Sequence, residues 1–138
     1  MTEYPVPAVR IIVADESGRV LILKRSVTEY APGKWCLPGG KVDYGDTVEQ
    51  TVCKELLEET ALQCTETRFL FYQDSLPLEP GTMHAINLYF ECTVKGTIKL
   101  NAESTDSAWI GPEALEEYSL VFKNDLALRQ YWGLVSSV

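Results

Sequence analysis

The chain has 138 residues, of which 46% are hydrophobic and 23% are charged, and its net charge is -8 at pH 7. This size and balance predict one domain, residues 1–138, with a hydrophobic core of its own. No apolar stretch approaches the roughly 18 residues that span a bilayer, and so acidic a surface disfavours general nucleic-acid binding. The acidic start, residues 1–5, is unlike a secretory signal, so a soluble cytoplasmic protein is expected.

The first predicted elements are two strands. Residues 9–14 and 20–23 are rich in β-branched side chains, and the turn-type sequence at 15–18 between them predicts a hairpin. A loop follows, and then a tight segment over residues 35–42 that contains Pro38, Gly39 and Gly40.

The next predicted element is the longest helix, from about residue 48 to about residue 60. Thr47 is a suitable N-cap, and Gln50 three residues later completes a capping box. Further strands are predicted over residues 65–72, 85–94 and 107–110, with a short helix from Pro112 and a last helix over 125–132. Together these elements predict a mixed sheet with helices packed on its faces.

The four cysteines are predicted to be small core residues in the reduced state. They contain no C-x-x-C pair, which disfavours a zinc site, and a cytosolic compartment keeps thiols reduced. They are Cys36, Cys53, Cys64 and Cys92.

Three glutamates crowd one side of the central helix. At 100° per residue Glu55, Glu58 and Glu59 span an arc of about 100°, and each pair at this spacing repels by roughly 0.2–0.5 kcal/mol. Glu55 and Glu59 also project in nearly the same direction as Val48 and Val52, so they face the edge of the protein body. Partly buried carboxylates are costly unless something compensates them.

A divalent cation is the compensation that this pattern predicts. Lys54 is the only basic residue of the helix and cannot neutralise three carboxylates. Mg²⁺ is held by a few carboxylates and bridges to substrate phosphates. A solvated acidic helix face is the alternative that the helix alone leaves open.

A glycine pair lies upstream of the helix. Gly39 and Gly40 let the backbone approach a ligand closely. Gly40 precedes Glu55 by fifteen residues, a length over which a loop and three helical turns can bring the two together.

Residues 40–62 resemble the Nudix box, whose pattern is G-x5-E-x7-R-E-U-x-E-E-x-G-U with U aliphatic. The matching positions are Gly40, Asp46, Lys54, Glu55, Leu56, Glu58, Glu59, Ala61 and Leu62. The resemblance implies an α/β (α+β) fold, a Nudix-type α/β/α sandwich with a mixed sheet and the Nudix loop-helix-loop.

Three positions depart from the family pattern. Asp46 replaces Glu and Lys54 replaces Arg, a pair that holds the loop to the helix in the family, and Lys lacks the bidentate fork of Arg. Ala61 replaces Gly and costs about 1 kcal/mol if its backbone is left-handed. None of the three is a metal ligand in the family.

The resemblance also assigns roles to individual residues. Glu55, Glu58 and Glu59 match the metal-binding glutamates, and Gly39 matches the residue whose carbonyl completes the site. A later carboxylate acts in many members as ligand or general base, and Glu103 is the candidate here, with Asp106 as the next choice. The base is either Glu55 or Glu103.

Two basic residues are candidates for binding substrate phosphate. Arg25 resembles a phosphate-contacting position of the family, and Lys41 could serve similarly, with an ordinary exposed side chain as the alternative for each. His84, the only histidine, is predicted to be an ordinary surface residue.

The implied activity is that of a Mg²⁺- or Mn²⁺-dependent pyrophosphohydrolase acting on a nucleoside diphosphate linked to another moiety. Nucleoside triphosphates or related nucleotides are the preferred substrates. Pro77 stands where ADP-ribose hydrolases carry a proline, so ADP-ribose or another nucleotide sugar is the alternative. A non-catalytic nucleotide-binding regulatory module and an acidic interaction domain are the rivals. A homodimer is neither indicated nor excluded.

Overall fold

The computed structural model describes residues 3–134. The helices are α1 (Val48–Thr60), a 3₁₀ helix (Pro112–Glu117) and α2 (Asn124–Tyr131). The strands are β1 (Val6–Val13), β2 (Val20–Arg25), β3 (Trp35–Cys36), β4 (Gly39–Lys41), β5 (Gln63–Ser75), β6 (Ala85–Lys95) and β7 (Ser104–Ile110).

The strands form two sheets. One has the order β4-β1-β6-β5 and the other the order β3-β2-β7. β1 and β6 run parallel, whereas the remaining named pairs are antiparallel. The prediction of a mixed sheet is therefore confirmed. Within residues 3–134 no helix is long and apolar enough to cross a membrane.

The sheets lie between the two α-helices because neighbouring side chains of one strand enter different cores. Leu21 of β2 packs in the cluster that contains Leu56 of α1. The next residue, Ile22, packs in the cluster that contains Leu128 of α2. This alternation, set by the period of two along a strand, produces the α/β/α sandwich that the sequence predicts.

Helix α1 has the predicted bounds and the predicted cap. The hydroxyl of Thr47 accepts a hydrogen bond from the backbone N–H of Gln50 at 3.0 Å, and the Gln50 side chain accepts one from the Thr47 N–H at 2.8 Å. The helix ends at Ala61, whose φ of 65° is left-handed. Both ends of the box helix are thus fixed by local sequence.

The predicted β1–β2 hairpin is wrong. The two strands belong to different sheets and meet only at the bridge between Ala14 and Val20. Each strand lies in the interior of its sheet, with partners on both edges, and most of its residues are buried. Continuous apolar runs are typical of strands buried on both faces, and here that burial separates the two strands.

The tight segment at 35–42 contains two short strands that the sequence did not resolve. β3 pairs with β2 in one sheet, and β4 pairs with β1 in the other. Between them, the backbone N–H of Leu37 donates to the side chain of Asn124 at 2.9 Å. The glycine pair therefore sits where the chain passes from one sheet to the other.

Candidate active site

Glu59 and Glu55 face the glycine pair from the last turns of α1. Glu59 is only 9% exposed, and Glu55 is half-buried. A Cβ atom at position 40 would lie 2.7 Å from the carboxyl carbon of Glu55, and one at position 39 would lie 2.1 Å from the carbonyl oxygen of Val9. Position 39 requires glycine because its neighbour is backbone, whereas a side chain at position 40 would displace the carboxyl group of Glu55.

Burial raises the pKa of both carboxyl groups. Burial raises the pKa of Glu59 to about 9, aided by a hydrogen bond to Glu55 and by the charges of Glu55 and Glu103, while the Gly39 backbone N–H acts in the opposite direction. Burial also raises the pKa of Glu55, although its hydrogen bond with Glu59 lowers it. Desolvation thus favours the neutral acid, and the proton resides on Glu59.

The other two predicted carboxylates lie outside this pair. Glu58 is exposed, and its charge raises the pKa of Glu55. Glu103 lies immediately before β7, and its carboxylate accepts a hydrogen bond from the Asn101 amide at 3.0 Å. Among residues 3–134, no three His, Cys, Asp or Glu side chains are gathered closely enough to surround one metal ion.

The loop before α1 is anchored by Lys54. Its ammonium group lies 3.0 Å from a carboxylate oxygen of Asp46 and 2.8 Å from one of Asp43. Hydrogen bonds to Asp43 and Asp46 raise the Lys54 pKa. The pairing of Asp46 with Lys54 survives both substitutions, and Asp43 adds a second acceptor that the family pattern did not reveal.

Arg25 is held at the end of β2 by several partners. Its guanidinium donates to the carbonyl of Tyr30 and to the sulfur of Cys36, the latter at 3.7 Å, and lies 3.9 Å from a carboxylate oxygen of Glu29. The guanidinium carbon is 4.9 Å from the centre of the Phe122 ring. These contacts make Arg25 a fixed cation rather than a free surface side chain.

The remaining candidates form no hydrogen bond or ion pair with Glu55 or Glu59 among residues 3–134. Lys41 is an exposed residue at the end of β4. Asp106 is exposed on β7, and its carboxylate caps the N–H of Ser107 at 2.8 Å. His84 is half-buried just before β6. Glu103, not Asp106, is the later carboxylate whose charge acts on both Glu55 and Glu59.

Two residues beside the site escaped the sequence analysis. Arg10 is buried in the middle of β1 and pairs with Gly39 across the sheet. Phe122 supports the guanidinium groups of both Arg10 and Arg25. A single arginine inside the apolar run of residues 8–13 was the available signal for Arg10, whereas nothing local distinguished Phe122.

Comparison with known proteins first defines the class. In the solved MutT NUDIX hydrolase from Burkholderia pseudomallei, 98% of the chain matches 93% of this one, with a TM-score of 0.80 and 26% identity. The NUDIX domain of Shewanella oneidensis NrtR, solved in complex with ADP ribose, matches with a TM-score of 0.78 and 20% identity over 96% of this chain and 90% of that one. The sandwich and its loop-helix-loop are therefore of the Nudix type.

The family follows from the sequence comparisons. A family model described as NUDIX domain matches residues 4–131. Nucleoside triphosphatase NudI of Escherichia coli O139:H28 is 32% identical over 98 residues, which are 64% of this chain and 70% of that protein. The chain belongs to the NUDIX family and is a Nudix hydrolase.

Proposed function

We propose that this hydrolase is a Mg²⁺- or Mn²⁺-dependent pyrophosphohydrolase, with nucleoside triphosphates or related nucleotides as substrates. It cleaves a phosphoanhydride bond in a nucleoside diphosphate linked to another moiety. The observation that carries the proposal is the acid pair, buried Glu59 and half-buried Glu55, against Gly39 and Gly40 of β4. The similarity to a nucleoside triphosphatase supports the substrate class.

The acid pair fits a divalent cation. Burial disfavours ionisation of both carboxyl groups, so a divalent cation that replaces the proton of Glu59 would offset their negative charge, and oxygen donors suit Mg²⁺ and Mn²⁺. Glu55 and Glu59, with the carbonyl of Gly39 and with Glu58 once its exposed side chain rotates toward them, would hold the metal. When bound, the metal supplies Lewis-acid activation of water and neutralises phosphate charge.

The protein's own groups do the remaining work. Arg25, fixed by its contacts with Cys36 and Phe122, binds a phosphate oxygen, and exposed Lys41 at the end of β4 is a second candidate for the same role. The water's proton goes to a carboxylate, either Glu55 or Glu103. The hydrogen bond from Asn101 orients the carboxylate of Glu103.

The defining experiment measures product release from a nucleotide panel with Mg²⁺ or Mn²⁺. We expect wild-type turnover of nucleoside triphosphates and a loss of about two orders of magnitude in kcat for Glu59→Gln, as is common when one preorganised electrostatic group is removed. Glu49→Gln, on the exposed first turn of the same helix, is the matched control. Turnover that survives Glu59→Gln unchanged would contradict the proposal.

ADP-ribose is the second candidate substrate. The NrtR domain was solved with ADP ribose, and Pro77 occupies the position typical of ADP-ribose hydrolases. Including ADP-ribose in the panel decides between the two. Metal-dependent binding of nucleotides without turnover would instead favour the non-catalytic regulatory module.

The compartment and the partners of the enzyme are also predicted. We predict a cytoplasmic enzyme whose partner is a small nucleotide, with no nucleic acid and no membrane. Light scattering in solution would decide whether it forms a homodimer.

A further inference from the structure

Arg10 is a buried charge that has no counter-ion within residues 3–134. It is 8% exposed, and its Nε donates to the side-chain oxygen of Asn87 at 3.2 Å. Among the ion pairs of residues 3–134, none involves Arg10. A buried charge that lacks both water and a partner is costly, so this guanidinium needs compensation from another source.

The two terminal nitrogens of Arg10 keep access to the surface. In the part of the chain that the structure describes, its two terminal nitrogens have no hydrogen-bond acceptor. Yet no side-chain nitrogen or oxygen there is both fully buried and unpartnered, so these two atoms keep access to the surface. Arg10 is paired with Gly39 across β1 and β4, and the charges acting on it include those of Glu59 and Arg25. The Arg10 side chain leaves β1 on the face opposite Val9 and Ile11, toward Asn87 and Phe122, yet it lies close enough to Glu59 for the two charges to interact.

A single aromatic ring supports two cations here. The guanidinium carbons of Arg10 and Arg25 lie 4.8 Å and 4.9 Å from the centre of the Phe122 ring. Phe122 has a left-handed φ of 61°, and the side chain of Asn124 donates to its carbonyl at 3.4 Å. The charge of Arg25 disfavours the charged form of Arg10, and an anion bound to either guanidinium group would offset that repulsion.

We propose that Arg10 is a specificity-determining residue that, with Arg25 and the Phe122 ring, forms an anion-binding subsite for a substrate phosphate beyond those that a metal at the α1 carboxylates would contact. A guanidinium with two free nitrogens matches two oxygens of one phosphate. The inference rests on the proposed function and refines it: a substrate with a third phosphate gains contacts that a diphosphate ending in a neutral sugar lacks.

Binding of inorganic tripolyphosphate in the presence of EDTA tests the subsite without turnover. By calorimetry we expect wild type to bind and Arg10→Gln to bind at least tenfold more weakly. Arg10→Lys keeps the charge but loses the fork and should fall between them. Arg19→Gln is the charge-matched control, since Arg19 is exposed and paired with Asp15 in the turn after β1. Equal binding by wild type and Arg10→Gln, or no binding by wild type, overturns the inference.

A parallel titration with adenosine separates phosphate from base recognition. If Arg10→Gln weakens adenosine binding but not tripolyphosphate binding, the arginine reads the base and the inference is wrong. Should Arg10→Gln fail to fold, Arg10→Lys and Phe122→Leu carry the test, and unchanged tripolyphosphate binding in both overturns it.

The hydrolysis panel tells the two proposals apart. Absence of turnover with every nucleotide sinks the proposed function while tripolyphosphate binding still decides the subsite. Turnover of triphosphates with tripolyphosphate binding unaltered in Arg10→Gln sinks the subsite and leaves the proposed function standing.

Discussion

Folding buries the carboxyl group of Glu59, and burial makes its ionisation costly. Its pKa rises from 4.5 to about 9, first because of burial and then because of Glu55. The folded chain therefore keeps this proton at pH values where the unfolded chain has released it. Since the unfolded state binds fewer protons in that range, stability must fall as pH rises. The contribution is fully present below about pH 4.5 and is lost progressively up to about pH 9.

The first prediction is that Glu59→Gln removes this pH dependence. In EDTA, the free energy of unfolding of the variant should exceed that of wild type by a margin that widens from about pH 5 to about pH 9. Urea unfolding across this range measures the margin, and taking the difference cancels the titration of other groups. Glu49→Gln should track wild type, and parallel curves for wild type and Glu59→Gln would refute the burial of Glu59.

For single residues, the sequence predicts burial where the geometry of one helix determines it. The 100° step along α1 places Glu55 and Glu59 beside the valines that face the core, and the structure buries Glu59 together with Val52. The same step could not show that Glu58 is exposed. Arg10 and Phe122 meet across 112 residues of sequence, a contact that depends on strand pairing and a left-handed backbone rather than on any local pattern.

Helix α1 ends in a left-handed residue although Ala61 is less suited than glycine to that conformation. Ala61 takes the left-handed conformation that glycine adopts without strain, and its N–H still donates to the Leu57 carbonyl at 2.9 Å. The position is half-buried. The helix end is thus set by the chain that follows it, with β5 beginning at Gln63, and the side chain at position 61 adds only strain.

Ala61→Gly is therefore expected to stabilise the protein. Relief of the left-handed strain contributes about 1 kcal/mol, partly offset by the larger entropy that glycine has in the unfolded chain. Urea unfolding measures the change. Ala102→Gly is the control, because that exposed residue has no positive φ and gains nothing from glycine. A variant at position 61 less stable than wild type would contradict the strain.

Element boundaries and element pairing differ in how far local sequence determines them. The start of α1 follows from Thr47 and Gln50, and its end from the short connection to β5, all within a few positions. The pairing of β1 does not, because its partners are β4 and β6, and β6 lies more than seventy residues away. The turn-type sequence at residues 15–18 predicts a hairpin because it carries no sign that β4 and β6 occupy both edges of β1.

Over the whole molecule, the acid pair sits inside a chain that is already strongly acidic. The net charge of -8 means that any added salt relieves general repulsion. Stabilisation by a divalent cation therefore indicates a metal site only where it exceeds the stabilisation that this screening produces. We expect such an excess if buried Glu59 and half-buried Glu55 bind the cation, since a cation bound only to the folded state stabilises it by mass action.

Metal binding should therefore raise stability specifically. At a free Mg²⁺ or Mn²⁺ concentration 100 times its Kd, wild type should gain about 2.7 kcal/mol, measured by urea unfolding against NaCl at equal ionic strength. Glu59→Gln should lose most of this gain, whereas Glu49→Gln should keep it, because Glu49 lies on the exposed first turn of α1. If Mg²⁺, Mn²⁺ and matched NaCl stabilise wild type equally, the cation only screens surface charge. The carboxylates of α1 would then hold no metal, and the proposed mechanism would fail with them.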